Sequence, residues 1–202
     1  KVLWRPLHEM NGDFFWWSYG ENGRSTKEEY VKLWAHMFDY FTKKKGLNNL
    51  LWVYAPNATL NNDLIKPVVY YYPGDKYVDW WGIDLFSANH FKNNEDLLTE
   101  AFVAKSIEHK KPMMIGECSA ARTGVDRGIE SWNEWFAPFF QWIKSHQSVK
   151  AFCYINWNWG IDWKQPEWLN CRIHENTIIL NKFREELQNQ FYIHNHAFSK
   201  LF

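Results

Sequence analysis

The stretch Trp4-Arg5-Pro6-Leu7-His8-Glu9-Met10-Asn11-Gly12-Asp13-Phe14-Phe15-Trp16-Trp17 enters from an apolar run. It crosses a histidine and a glutamate, and closes in turn residues and rings. With Val2–Leu7 read as a buried strand, this is the strand-to-loop half of a β-α unit. The pattern recurs down the chain. Leu50–Tyr54 is a second strand, closed by Pro56 and Asn57. Trp80–Phe86, Met113–Glu117 and Val149–Trp157 are the third, fourth and fifth. Helices fall between them. Ser25-Thr26-Lys27-Glu28 carries a capping-box signal. It opens a helix with Tyr30, Leu33, Trp34, Met37, Phe38 and Phe41 on one face, stopped at Gly46. A helical turn is expected over Lys66–Tyr72, and helices over Asp96–His109, Ile129–His146 and Thr177–Asn189.

The strands are apolar runs rather than clean alternations, as expected when both sheet faces are covered. Repeated β-α units imply a parallel sheet with right-handed crossovers. A closed (β/α)8 barrel takes eight such units in roughly 250 residues. Five strands in 202 residues leave two alternatives. One is an open α/β sheet; the other is the C-terminal part of a barrel lacking its first three strands.

Composition narrows the partners. Net charge is zero and the pI is near 7.2, which argues against nucleic acid or an anionic membrane surface. No stretch has the length and apolarity of a membrane span. Aromatics make up 19% of the chain, with 14 Trp; they fit either an aromatic core or a cleft whose flat rings meet sugar faces. Cys118, Cys153 and Cys171 are too few and too scattered for a disulfide framework or a zinc site, and Cys118 and Cys153 read as small core residues. No signal peptide is visible, but residue 1 already lies in a strand pattern. Asn57-Ala58-Thr59 fits a glycosylation sequon.

In parallel α/β folds the chemistry gathers at the C-terminal ends of strands. Glu9 and Glu117 fall there, as do Asp84 and Phe86 after the third strand and Trp157 and Trp159 after the fifth. Each glutamate alone would more often be a surface or salt-bridged residue. Together, among tryptophans, they form the pair that glycoside hydrolysis uses: one carboxyl held protonated for the leaving oxygen, one ionised for the anomeric carbon. The rings after Glu9 suit the acid; small neighbours around Glu117 suit the nucleophile. His8-Glu9 lacks the second histidine of a metalloprotease helix, since position 12 is glycine. His194 and His196 read as solvated tail. No phosphate loop or serine elbow is present.

These residues resemble glycoside hydrolase family 26, of the retaining (β/α)8 glycosidases. The match is carried by Arg5-Pro6-Leu7-His8-Glu9-Met10-Asn11-Gly12 with Phe15-Trp16-Trp17, and by the Pro-led run ending Gly116-Glu117. Leu47-Asn48-Asn49-Leu50-Leu51-Trp52-Val53-Tyr54-Ala55-Pro56 and Tyr72-Pro73-Gly74-Asp75-Lys76-Tyr77-Val78-Asp79 add to it. The likeness runs from residue 1 to about 160. It implies a partial TIM (β/α)8 barrel, strands four to eight with their helices, within a single N-terminally incomplete catalytic domain over 1–202. It makes Glu9 the acid/base and Glu117 the nucleophile. His8, Asn11, Trp16, Trp17, Phe86, Trp157 and Trp159 become substrate-binding candidates, with Trp157 preferred over Trp159 as the floor of the cleavage subsite. Arg5 and Asp84 become supporting residues behind the acids.

Two departures from the family pattern stand out. Phe86 lies nearest the place of a tyrosine that bonds the nucleophile, and it has no hydroxyl. Cys118-Ser119-Ala120 replaces an expected glycine-containing turn. The implied activity is a retaining endo-β-1,4-mannanase, with β-1,3-xylanase, lichenase or an inactive carbohydrate-binding remnant as alternatives. The implied partner is a polysaccharide, met outside the cell, with no metal or cofactor called for, and with a missing N-terminal barrel half as the other expected neighbour.

Overall fold

The computed structural model describes residues 1–18, 25–57, 69–92 and 97–193. Five strands form one sheet in chain order: β1 (Val2–Trp4), β2 (Leu50–Tyr54), β3 (Trp80–Leu85), β4 (Met113–Cys118) and β5 (Val149–Tyr154). β1 pairs with β2, β2 with β3 and β3 with β4, all parallel. Met113 N donates to Ser148 O at the start of β5. Sequence order equal to spatial order is what successive β-α units produce. The strands of β3 and β4 are buried almost throughout, whereas β1 and β5 are half-covered. The apolar runs therefore mark the middle of the sheet better than its ends. Cys153, expected in the core, is exposed on β5; an outer strand has a neighbour on one side only.

The chain divides into two compact units. The first takes in Lys1–Leu85, Asp96–Cys118 and Ser148–Cys153. It holds the sheet, α1 (Lys27–Asp39) and α2 (Leu97–Glu108). The capping box of α1 sits one residue later than expected: Thr26 caps the Glu29 N–H, and Glu29 returns the bond to the Thr26 N–H. Ser25 is occupied elsewhere, its hydroxyl donating to Trp17 O at 2.6 Å. The face of α1 is as the spacing predicts. Trp34 is fully buried with ring contacts to Trp52 and Tyr54, and its Nε1 donates to Tyr77 O at 3.0 Å. Phe38 and Phe41 complete the layer on Trp52. The helix relaxes into a π turn over Tyr40–Lys44, and Gly46, at φ +67°, carries the exit.

The second unit takes in Phe86–Glu95, Ser119–Gln147 and Tyr154–Phe202. The expected helix over 129–146 is three pieces: α3 (Ile129–Ser131), a π segment at Trp132–Phe136, and α4 (Ala137–Ser145). Pro138 explains the break. It has no N–H to give and its ring crowds the carbonyl four residues back, so the turn before it widens. Trp135, Phe136, Phe139 and Phe140 are buried there. Phe183 of α6 (Thr177–Leu187) packs on Phe136 and Phe140. A short α5 (Trp159–Asp162) follows the fifth strand.

Much of the aromatic content is core. Trp34, Trp52, Trp81, Trp135 and Trp142 are among the largest fully buried side chains. No helix among the described residues is long and apolar enough to cross a membrane. Residues 66–68 of the expected helical turn, Ala58 and Thr59 of the sequon, and His194 and His196 lie outside the described residues.

Candidate active site

The site lies in the first unit, and three neighbouring strands bring it together. Asn57, just past β2, forms an isolated parallel bridge with Asp84 of β3. Asp84 is in register with Glu117 of β4. The register shifts here: Ile83 faces Ile115, Asp84 faces Glu117, and Gly116 is the extra residue. The glycine is required. A Cβ on Gly116 would lie 2.8 Å from both Arg5 Cδ and Asp84 Oδ1. The missing carbon leaves room for the Arg5 side chain against β4.

Arg5 is the hub. Its Nη1 donates to Asp84 Oδ1 and Oδ2 at 3.0 and 2.8 Å, and its Nη2 donates to Glu117 Oε1. Burial works against its charge, but Asp84, Glu117 and Glu9 around it outweigh burial and raise its pKa. His8 approaches from the other side, with Nε2 3.6 Å from Glu117 Oε1. Burial, helped by Arg5 and opposed by Glu117, lowers the His8 pKa, so the ring is neutral at pH 7.

Glu9 arrives by a different route. β1 ends at Trp4, three residues short of the predicted end, and Glu9 sits in a turn beyond it. Leu7 and Glu9 both have left-handed backbones, at φ +50° and +52°. This conformation costs of order 1–3 kcal/mol per non-glycine residue. Donors from elsewhere hold it. Tyr30 OH donates to Leu7 O at 3.1 Å, Trp17 Nε1 to His8 O at 2.8 Å, and Ser18 Oγ to Glu9 O at 3.3 Å. The Glu9 N–H donates to Ala55 O at 2.8 Å, fastening the turn to the end of β2. Three successive carbonyls are thus each taken by a side chain.

The Glu9 carboxyl accepts from Asn57 Nδ2. Burial, then Glu117, push its pKa up to about 7, against the pull of Asn57, Arg5 and Asp84. Asp84, fully buried, is also raised well above the usual range, by burial and by the other two acids, with Arg5 opposing. One oxygen from each of Glu9, Asp84 and Glu117 lies within 4.8 Å of the others. Three carboxylates around one guanidinium cannot all ionise cheaply, so the cluster retains a proton near neutral pH. That spacing is also one a cation could use, but Arg5, bonded to two of the three acids, already meets their charge.

The remaining predicted residues sort by surroundings. Phe15, rather than the backbone alone, frames His8: their rings lie 4.9 Å apart, and Phe15 stacks on Trp17 at 4.5 Å. Of the rings after Glu9, Phe15 and Trp17 thus pack on its neighbour His8. Trp16 is 59% exposed. Asn11, a sugar-binding candidate, has its amide committed to the Asn57 backbone, donating to Asn57 O and accepting from Asn57 N. In the second unit, Trp159 is buried against Phe86, Trp163 and Trp168, with Nε1 on Ser119 Oγ at 3.0 Å. Phe86 is buried too, and its carbonyl accepts from Trp135 Nε1. Trp157 is the open ring, 44% exposed. The glycine missing after Glu117 comes later: Gly124, at φ +66°, turns the chain and its N–H donates to Ala120 O.

Asn57 is the residue the sequence reading missed. In the sequence it reads as a strand stop and the first residue of a sequon. The available signal was its place, directly after a strand of a parallel sheet, where site residues collect.

The sequence profile described as "Glycosyl hydrolase family 26" matches residues 1–148. The mannan endo-1,4-beta-mannosidase A and B of Caldalkalibacillus mannanilyticus is 42% identical over 88 residues, 42% of this chain and 16% of that protein. The beta-1,3-xylanase TXYA of a Vibrio species is 30% identical over 221 aligned positions, 95% of this chain and 44% of that one. Among solved structures, the catalytic domain of the Bacillus sp. JAMB-750 GH26 endo-beta-1,4-mannanase superposes with a TM-score of 0.67 at 22% identity, covering 94% of this chain and 50% of that one. The chain spans half or less of the length of each of these proteins. The fold expectation holds: the five strands correspond to part of a (β/α)8 barrel.

Proposed function

The chain belongs to glycosyl hydrolase family 26, and from that membership and the site geometry we propose that it hydrolyses a β-1,4-mannan-type polysaccharide by double displacement. Residues 1–202 act as part of one catalytic domain, with Glu9 as acid/base and Glu117 as nucleophile. The observation that carries this is the closeness of their carboxyl oxygens, within 4.8 Å. Retaining pairs stand about 5–5.5 Å apart, and inverting pairs about 6.5–9.5 Å to admit a water.

Glu117 attacks the anomeric carbon while Glu9 gives its proton to the glycosidic oxygen. The bond to the leaving sugar breaks, and a glycosyl ester forms on Glu117. Glu9, now ionised, takes a proton from water. That water attacks the anomeric carbon, and Glu117 leaves as carboxylate. A Glu9 pKa near 7 suits both halves, since the group both gives and takes a proton. Arg5 fixes Glu117 for attack, with His8 3.6 Å from the same oxygen. Trp16, Trp17 and Trp157 offer rings to sugars, with His8 beside the reacting centre. Phe86 and Trp159, packed on each other within the second unit, support sugar binding there. A polymer of this size is met outside the cell, so the activity belongs there.

The length of the alignment with the Vibrio protein named a beta-1,3-xylanase favours β-1,3-xylan as the second reading of the substrate. Release of reducing ends from mannan, β-1,3-xylan and lichenan separates the two. A 2-fluoro glycoside should leave a stable mass increment on a Glu117 peptide, and Glu117→Gln should reduce hydrolysis to background. If Glu117→Gln kept full activity on whichever polymer the parent cleaves, the role assignment would be wrong. If the parent bound a polymer without cleaving it, the chain would be a carbohydrate-binding remnant.

A further inference from the structure

We propose that Asn57 is the positioning residue that sets the direction of proton transfer from Glu9, and that Asn11 locks Asn57 for this task; the proposal rests on the glycosidase reading above. Asn57 is buried at the end of β2, bridged to Asp84. One side-chain amide satisfies both of its backbone groups: Asn11 Oδ1 accepts from Asn57 N at 2.9 Å, and Asn11 Nδ2 donates to Asn57 O at 2.8 Å. This pairing imitates a strand neighbour at the point where the ladder ends. It ties the Glu9 turn to β2 from the far side of the Glu9 N–H bond to Ala55 O.

With its backbone held on both sides, Asn57 has a side chain of restricted swing, and Nδ2 donates to Glu9 Oε1. An oxygen that accepts an N–H does not also carry the acid proton facing that donor. The transferable proton therefore sits on Oε2. The charged groups facing Glu9 are Arg5 beyond β1, Asp84 on β3 and Glu117 on β4. Asn57 supplies a neutral donor on the β2 side. A donor stabilises the carboxylate more than the acid, which keeps the ionised Glu9 of the second half-reaction accessible in a buried site crowded by two other acids. Aspartate has the same shape, but would set a third carboxylate against Glu9.

The test is carbon-13 NMR titration of the Glu9 carboxyl, assigned by its loss in Glu9→Gln, in the parent chain and in Asn57→Ala, Asn57→Asp and Asn11→Ala. Near-UV circular dichroism identifies the variants that keep native packing. In Asn57→Ala the midpoint should rise from about 7 by about one pH unit, the size expected for losing one hydrogen bond to a charged group. Asn57→Asp should raise it at least as far, and Asn11→Ala by less. Turnover of the polymer should fall about tenfold in Asn57→Ala. A 2,4-dinitrophenyl glycoside, whose leaving group needs no proton, should be cleaved to its ester within about twofold of the parent rate. An unmoved midpoint in every natively packed variant overturns the proposal. A moved midpoint in a chain that cleaves nothing keeps the positioning role and sinks the glycosidase reading. Normal cleavage with an unmoved midpoint does the reverse.

Discussion

Glu9 and Glu117 reach within 4.8 Å of each other by opposite means. Glu117 lies inside a strand. Sheet register, one bulge and one glycine put it beside Asp84, and backbone hydrogen bonding does most of the holding. Glu9 lies outside any regular element, on a turn with two left-handed non-glycine residues. What holds it is a set of side-chain donors from a helix, a ring cluster and a serine. The position of Glu117 is thus built mainly from backbone, and that of Glu9 mainly from side chains. The first should fail abruptly when its geometry is touched. The second should degrade by steps as single donors are lost.

Gly116→Ala is the harshest way to press the comparison. Its Cβ would fall 2.8 Å from Arg5 and Asp84, so the bulge must open and Glu117 must shift. We expect kcat/KM to fall about 100-fold, as a displacement near 1 Å in a reacting group does. A thermal melt should show about 1–3 kcal/mol of lost stability. An active, stable Gly116→Ala enzyme would mean that the register is not what places Glu117.

The pH profile addresses the acid. In the proposed mechanism Glu9 acts as the protonated acid, and its pKa lies at about 7, so kcat/KM should fall about tenfold per pH unit above that value. Stability has its own sign. Native Glu9 holds its proton up to about 7, whereas an unfolded glutamic acid releases it near 4.5. The native state therefore binds more protons between these values, and this group's contribution falls as pH rises across that window. A flat profile from pH 6 to 9 would remove Glu9 from the acid role.

The smallest effect is expected from Tyr30→Phe, which deletes only the hydroxyl on Leu7 O. Loss of about 1 kcal/mol of stability is expected, with a modest drop in turnover and an unchanged pH midpoint. Combined with Trp17→Phe, which removes the donor to His8 O, the loss should exceed the sum of the two, because both donors hold one turn. Strict additivity would argue that the carbonyls are held independently.

Much of this was legible in the chain. Apolar runs located all five strands, and the ring spacing of α1 placed Tyr30 and Trp34 on its buried face. The motif around Glu9 and the run ending at Glu117 pointed to the family that the profile matches. The errors share a cause. The predicted strand over Val2–Leu7 stops at Trp4 because Leu7 and Glu9 turn left-handed, a conformation no local propensity favours for these residues. The capping box moved by one residue because Ser25 is engaged by the Trp17–Ser18 backbone. Asn11 stands in the sequence as a sugar-binding candidate, and the partner of its amide is 46 positions away.

The sequence by itself determined which segments are strands and helices, and which two glutamates follow them in a recognisable motif. Periodicity and apolar runs are local, so local pattern suffices for them. The tertiary structure alone decided that Arg5 joins Asp84 to Glu117, that Gly116 makes room for it, and that Asn57 meets Glu9. Those contacts join residues 48 to 112 positions apart. They arise only when parallel strands bring distant ends side by side, and no local pattern encodes which ends will meet.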